Sequence, residues 1–296
     1  MQAIVKLYGR TLVRPRWRCS HRPRTGWTKV QPYTGHKLKT IACKQAPTPR
    51  RFRRRCIFPQ AGLDSGRGMC WLVQLMPWTA QPIHFVDFEG SLSSGILEYG
   101  IVTLQAGGVV ALRTRLCRAT GRIRPEDTAV HGLAETTLAG CAPFAEEFDL
   151  FAELRASGPF AAHFAGAENS LIKSVWPYGR AAVDFARPGQ TTQEWGPWID
   201  TGALYRQFYP QLETLRLADL VAACGLQSEL DDLAAKHCPA TRSAYHAAPY
   251  DALAGALLLG SLAREPQLAK LTLPQLLALS TLDGAKRDEL QQGNLF

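Results

Sequence analysis

The chain has 296 residues, 46% of them hydrophobic, and a formal net charge of +9, enough for one large domain or two small ones around an ordinary soluble core. The charge excludes a uniformly basic nucleic-acid or membrane-surface binder, because it is concentrated: residues 1–75 hold 17 Lys/Arg against a single acidic residue, Asp64, whereas residues 76–296 hold 17 Lys/Arg against 24 Asp/Glu. Eight cysteines (Cys19, Cys43, Cys56, Cys70, Cys117, Cys141, Cys224, Cys238) include no Cys-x-x-Cys, which points to free thiols in a reducing, cytoplasmic setting, and the longest apolar run of the body, 252–263, is too short and too Gly/Ser-broken to span a bilayer.

Residues 1–75 mix Arg, Pro and Trp ("RPRWRCSHRPRTGW", "PTPRRFRRRC") without helical or strand period. Three readings compete: a basic, disordered nucleic-acid arm, an organelle transit peptide, and a stretch ahead of a true start at Met69 or Met76. The abrupt change of composition at those internal methionines favours the third. A secretory signal does not fit, since no apolar core precedes a small-residue cleavage site.

From residue 82 the pattern becomes regular. "IHFVDF" (83–88) predicts a strand, "ILEYGIVTLQ" (96–105) a second, and Gly107-Gly108 a hairpin into a third, "VVALRTRL" (109–116). A short helix follows Pro125, and a longer one near 143–156 ends at Gly158. "PFAAHF" (159–164) reads as a short buried strand and 167–176 as a helix. "WIDTGALYRQFYP" (198–210) opens as a strand and continues as a helix stopped by Pro210. Further helices are predicted over 214–226, with Gly225 at its end, and over 250–264. Antiparallel strands followed by alternating strands and helices imply an α/β fold, a mixed sheet with helices on both faces. The expected organisation is a basic extension (1–75), one domain (76–264) and a C-terminal helix with a flexible tail (265–296).

Acidic residues recur at element ends. Asp87 and Glu89 stand two apart on a strand and so share a face, where their repulsion needs compensation from a solvated edge or a divalent cation. Glu168 lies near the start of a helix that follows a buried strand. Asp200 ends a strand and reads as a cap of the next helix. His246 precedes Asp251 by five residues, and Asp251 falls in the first turn of an apolar helix, where the helix dipole favours a carboxylate.

In this order the pieces resemble the 3′→5′ exonucleases of the DEDDh class, over about residues 82–264. The first motif, D-x-E, is matched by Asp87-Phe88-Glu89. The second, A-H-N-A-x-F-D, is matched in register by residues 162–168, with Phe164 for Asn, Ala167 for Phe and Glu168 for Asp. The third, H-x4-D, is His246 to Asp251. "VHGLAETTL" (130–138) is similar to the class's H-G-I-T turn, and 198–220 to its segment between the second and third motifs. Two departures stand out: Glu168 is one methylene longer than the usual Asp, and Gly90 replaces a frequent Thr.

The resemblance implies a ribonuclease H-like fold with a mixed five-stranded sheet. It implies two Mg²⁺ (or Mn²⁺) ions about 4 Å apart, held by Asp87, Glu89, Glu168 and Asp251, with His246 as general base. It further implies Phe88, Gly90, His131 and Leu133 as substrate-binding positions, with ordinary turn and core packing the alternative for His131 and Leu133. The expected activity is hydrolysis at single-stranded DNA 3′ ends in replication or repair. The alternatives are an RNA-directed exonuclease and a catalytically weakened nucleic-acid or sliding-clamp adaptor on the same fold, the latter motivated by Glu168. The C-terminal Gln292, Leu295 and Phe296 resemble a bacterial sliding-clamp-binding peptide. His163 reads as structural and His237-Cys238 as incidental, and Trp195 and Trp198 read as packing against the sheet edge rather than stacking on bases.

Overall fold

The computed structural model describes residues 76–281; the readings for residues 1–75 and for Gln292, Leu295 and Phe296 fall outside that range. Three antiparallel strands open the fold, β1 (Ile83–Ser91), β2 (Gly95–Gln105) and β3 (Gly108–Leu116). The β2–β3 turn is centred one residue earlier than the Gly-Gly pair suggests. Ala106 and Gly107 carry positive φ of 51° and 78°, the backbone a tight hairpin demands. Next come α1 (Pro125–His131), the single-turn α2 (Glu135–Leu138), and a 3-10 turn (Phe144–Glu147) that runs directly into α3 (Phe148–Ser157).

The middle of the chain holds β4 (Phe160–Ala162), α4 (Gly166–Val175), a small hairpin of β5 (Ala182–Val183) and β6 (Thr191–Thr192), β7 (Ile199–Asp200) and α5 (Thr201–Phe208). It ends with α6 (Leu217–Ala223), α7 (Gln227–His237), α8 (Ala248–Ala263) and α9 (Leu273–Leu279). The main sheet has five strands in the order β3-β2-β1-β4-β7, with β4 parallel to β1 and β7 parallel to β4. It is the mixed sheet expected from the strand pattern.

Strand alternation on β1 divides the interior. Ile83 and Phe85 join a large core with the leucines of α8 and with α6 and α9, whereas Val86 and Phe88 join an aromatic core of Tyr99, Phe144, Phe151, Phe160 and Trp195, covered by α3 and α4. Apolar nearly all round, α8 is buried on every side, as such a helix must be. Its first turn crosses β2 at Gly100, where a Cβ would fall 2.2 Å from the Ala248 carbonyl oxygen. That close approach sets the height at which α8 begins over the sheet.

The packed unit runs past residue 264. Leu268, Leu271, Leu273, Leu276 and Leu277 belong to the α8 core, and the Trp78 indole donates to the Leu268 carbonyl at 2.9 Å. A capping box of Thr272 and Gln275 starts α9. The four cysteines within the described range are free thiols, and among the described residues no helix is long and apolar enough to cross a membrane.

Candidate active site

Because Ile83 and Phe85 face α8, so do Asp87 and Glu89, two and four residues further along the same face. Asp251 stands in the first turn of α8, which Gly100 admits close to β2 opposite Asp87. Strands β1 and β4 run parallel, so their carboxyl ends lie along one sheet edge, and Glu168 enters there in the first turn of α4. Three elements thus bring four carboxylates to one end of the sheet.

Their electrostatics are mutually unfavourable. Asp87 is held well above the usual carboxylate range, first by burial and then by Glu168, Asp251, Glu89 and Glu98. Burial and then Asp251 and Glu98 push Glu89 up to about 8, against an opposing pull from Arg242. Glu168 rises to about 8 through burial and Glu89, although it accepts a hydrogen bond from the Phe88 amide. Asp251 rises to about 7, chiefly through burial, opposed by the His246 N–H and Arg242. Glu168 Oε2 and Asp251 Oδ1 are buried without a hydrogen-bond partner among the described residues.

Hard carboxylate oxygens, crowded and short of donors, are the donor set a divalent cation favours, so the residues present fit Mg²⁺ or Mn²⁺. Glu89, Asp251 and His246 each offer one ligand atom within 4.8 Å of the other two. The His246 side chain is exposed, and its backbone has a φ of 66°, in the left-handed region. The His246 N–H donates to Asp251 Oδ2 at 3.0 Å.

The other residues singled out in the sequence take varied places. The ring of Phe88 turns by alternation into the aromatic core, 5.4 Å from Phe144, and its amide donates to Glu168 on the acidic side. Leu133 is buried with Leu97 and Leu138, as in the core-packing alternative. Gly90 is demanded by the backbone: the β1–β2 ladder shifts register at Glu89/Gly90, φ is 134°, and a Cβ would fall 2.2 Å from the Gly95 carbonyl. This is why the frequent Thr has no place here.

His131 is buried, accepts from the Leu133 amide on Nδ1 at 3.0 Å, and has an unpartnered Nε2 among the described residues. His163 bridges Thr201 and the Leu215 carbonyl, and Asp200 caps α5 through the Ala203 amide. Trp195 is fully buried, and the Trp198 indole donates to Asn169. Glu168 is 8% exposed, so the alternative of a solvated helix residue does not describe it.

Sequence reasoning passed over Glu98 and Arg242. Glu98 is 1% exposed and lies opposite Glu89 on β2, where it receives the Arg242 guanidinium and the Ala248 amide. The available signal was a carboxylate inside the otherwise apolar strand "ILEYGIV", since a charge so placed requires a partner. Arg242 lies 144 positions away, and no local pattern marks it.

No protein-family model matches the chain, and the search of curated proteins found no significant match. Solved structures similar to it include exonuclease X in complex with 5′-overhanging duplex DNA, at 22% identity over 67% of this chain and 99% of that one, with a TM-score of 0.48. The nuclease domain of 3′hExo, described as a DEDDh family member and bound to rAMP, is 11% identical over 65% and 95%, with a TM-score of 0.47. Escherichia coli exonuclease I with a dT13 oligonucleotide is 13% identical over 64% of this chain and 42% of that one, also at 0.47. The sheet observed here, with an antiparallel opening, two parallel strands appended beyond β1 and helices on both faces, is the mixed five-stranded sheet expected from the sequence resemblance. The chain has an α/β fold built on a mixed five-stranded sheet with helices on both faces.

Proposed function

We propose that the chain is a divalent-metal-dependent 3′→5′ exonuclease that releases nucleoside monophosphates from single-stranded or frayed DNA ends, in replication or repair. One observation carries this reading: four carboxylates from β1, α4 and α8, Glu168 buried and the other three half-buried, converge, two of them with unpartnered oxygens among the described residues, beside an exposed histidine. Asp87, Glu89, Glu168 and Asp251 would hold the ions, which when bound polarise the scissile phosphate and lower the pKa of water. His246 accepts the proton of the attacking water as its oxygen bonds to phosphorus and the bond to the 3′-oxygen breaks. Asp251 fixes the His246 backbone, and the bulge at Gly90 leaves the strand end beside Glu89 free of a side chain. A glutamate buried against Glu89 and Asp87 is what a working site requires, and this supports the enzyme over the adaptor reading. In the same reading, residue 76 onward is the exonuclease unit, and Gln292, Leu295 and Phe296 form a clamp-binding peptide.

The test offers 5′-labelled single-stranded DNA and RNA of one sequence to the full-length chain with Mg²⁺. A ladder shortening from the 3′ end, lost with chelator and reduced more than about 10³-fold in Asp87→Asn, is expected, with DNA the faster substrate. Faster RNA cleavage would transfer the reading to an exoribonuclease. Absence of cleavage by the folded protein would remove the catalytic reading.

A further inference from the structure

Three parts of the site meet on one guanidinium. Arg242 Nε lies 3.0 Å from Glu98 Oε1, Nη1 lies 2.8 Å from the His131 carbonyl, and Nη2 bonds both Glu98 Oε2 and, at 3.2 Å, the His246 carbonyl. Glu98 Oε2 also accepts the Ala248 amide at 3.0 Å. The pair is deeply placed, with side-chain exposures of 14% for Arg242 and 1% for Glu98. It ties β2, the end of α1 and the loop 243–247 that carries His246 into α8.

His246 needs such a tie. Its φ of 66° is one that side-chain-bearing residues keep only where the surroundings over-determine it. Both of its backbone polar groups are held: the N–H by Asp251 and the carbonyl by Arg242. The residue is exposed, with a ring nitrogen within 4.8 Å of carboxylate oxygens of Glu89 and Asp251, so the backbone setting governs where the imidazole enters the site.

Resting on the exonuclease reading, we propose that Arg242, braced by Glu98, is a positioning residue: it sets the His246 backbone so that the imidazole meets the attacking water, and joins that setting to the turn at His131. Only the planar fork can serve Glu98 and two carbonyls together, and a lysine ammonium in its place cannot match that geometry.

The experiment compares full-length wild type, Arg242→Lys and Glu98→Gln in two measurements. Steady-state cleavage of a labelled oligonucleotide at saturating Mg²⁺ should show kcat lowered by about 10²-fold with KM unchanged. The His246 imidazole C–H signal, identified by its loss in His246→Gln, should shift toward that of a freely rotating histidine. If Arg242→Lys does not fold, the paired Glu98→Gln/Arg242→Gln variant replaces it, leaving neither position charged and an acceptor for the Ala248 amide. Lowered melting temperature with kcat and the His246 signal unmoved would reduce the pair to a structural brace and overturn the inference. Should wild type prove inactive, the exonuclease reading fails on its own. The His246 signal then decides the positioning: movement in the variants supports it, and an unmoved signal overturns it.

Discussion

The two faces of β1 share one backbone and have opposite energetics. Val86 and Phe88 sink into an aromatic cluster in which Phe151 contacts Phe88, Tyr99, Phe144, Phe160 and Trp176 at centroid distances of 5.0–6.1 Å. Asp87 and Glu89, interleaved with them, face other carboxylates across buried space. One face gains free energy by excluding water along its length, while the other does so at Ile83 and Phe85 and then concentrates charge at Asp87 and Glu89 that folding alone leaves uncompensated. The comparison teaches that stability and chemistry are separable along this strand, residue by residue.

The sharpest way to break that separation is Phe151→Ala. Removing a fully buried aromatic should cost about 3–5 kcal/mol, read by denaturant unfolding, while kcat per folded molecule stays near wild type. A variant that kept its stability and lost turnover would show that the aromatic face takes part in the chemistry.

The acidic face should respond to pH with the opposite sign from an ordinary surface carboxylate. Unfolded Asp and Glu titrate near pH 4, whereas folded Asp251 titrates near 7 and Glu89 and Glu168 near 8. Between these limits the native state holds more protons, so the site's contribution to stability is full below about pH 4, falls as pH rises, and is lost once pH passes about 8. A divalent cation competes with those protons. The stabilisation on adding Mg²⁺, read by melting, should therefore grow from pH 5.5 to 8.5, reaching about 2.7 kcal/mol when Mg²⁺ exceeds its Kd a hundredfold. Glu89→Gln removes one charge from the cluster. It should melt higher than wild type in chelator at pH 8 and gain less from Mg²⁺. A Mg²⁺ shift independent of pH, equal in both proteins, would place the cation elsewhere.

How much of this was legible in the sequence follows from the range of the forces involved. Strand alternation and hairpin chemistry are local, so β1 to β3 and the shared face of Asp87 and Glu89 could be read directly. The first-turn positions of Glu168 and Asp251 follow from helix starts. The pairing of Glu98 with Arg242 could not be read, because it depends on where α8 lands on β2, a tertiary outcome set by Gly100. The period-2 rule that puts Asp87 and Glu89 on one face also sends the ring of Phe88 to the other, so its direction was legible as well. Helix α7 escaped because its sequence, QSELDDLAAKH, is polar around most of its circumference and buries only Leu230 and Ala234.

The smallest expected effect sets one phenylalanine against another. Phe164 is 47% exposed and its φ of 60° is left-handed, held by its own amide and that of Ala165 donating to Asp200 at 3.1 Å each. Its ring rests against His163 and over Gly202. Asparagine tolerates that backbone better than other side-chain-bearing residues, and relief of a left-handed conformation is worth about 1 kcal/mol. Exposure limits what the ring can contribute in return. Phe164→Asn should therefore leave stability unchanged or raise it by up to about 1 kcal/mol, where Phe151→Ala lowers it severalfold more. Thermal melts with a turnover assay check this. A clear loss of stability would mean that the contacts with His163 and Gly202 outweigh the strain. Unchanged stability with altered KM would instead show that the exposed ring meets the nucleic acid, and that the acidic face has an aromatic contact of its own.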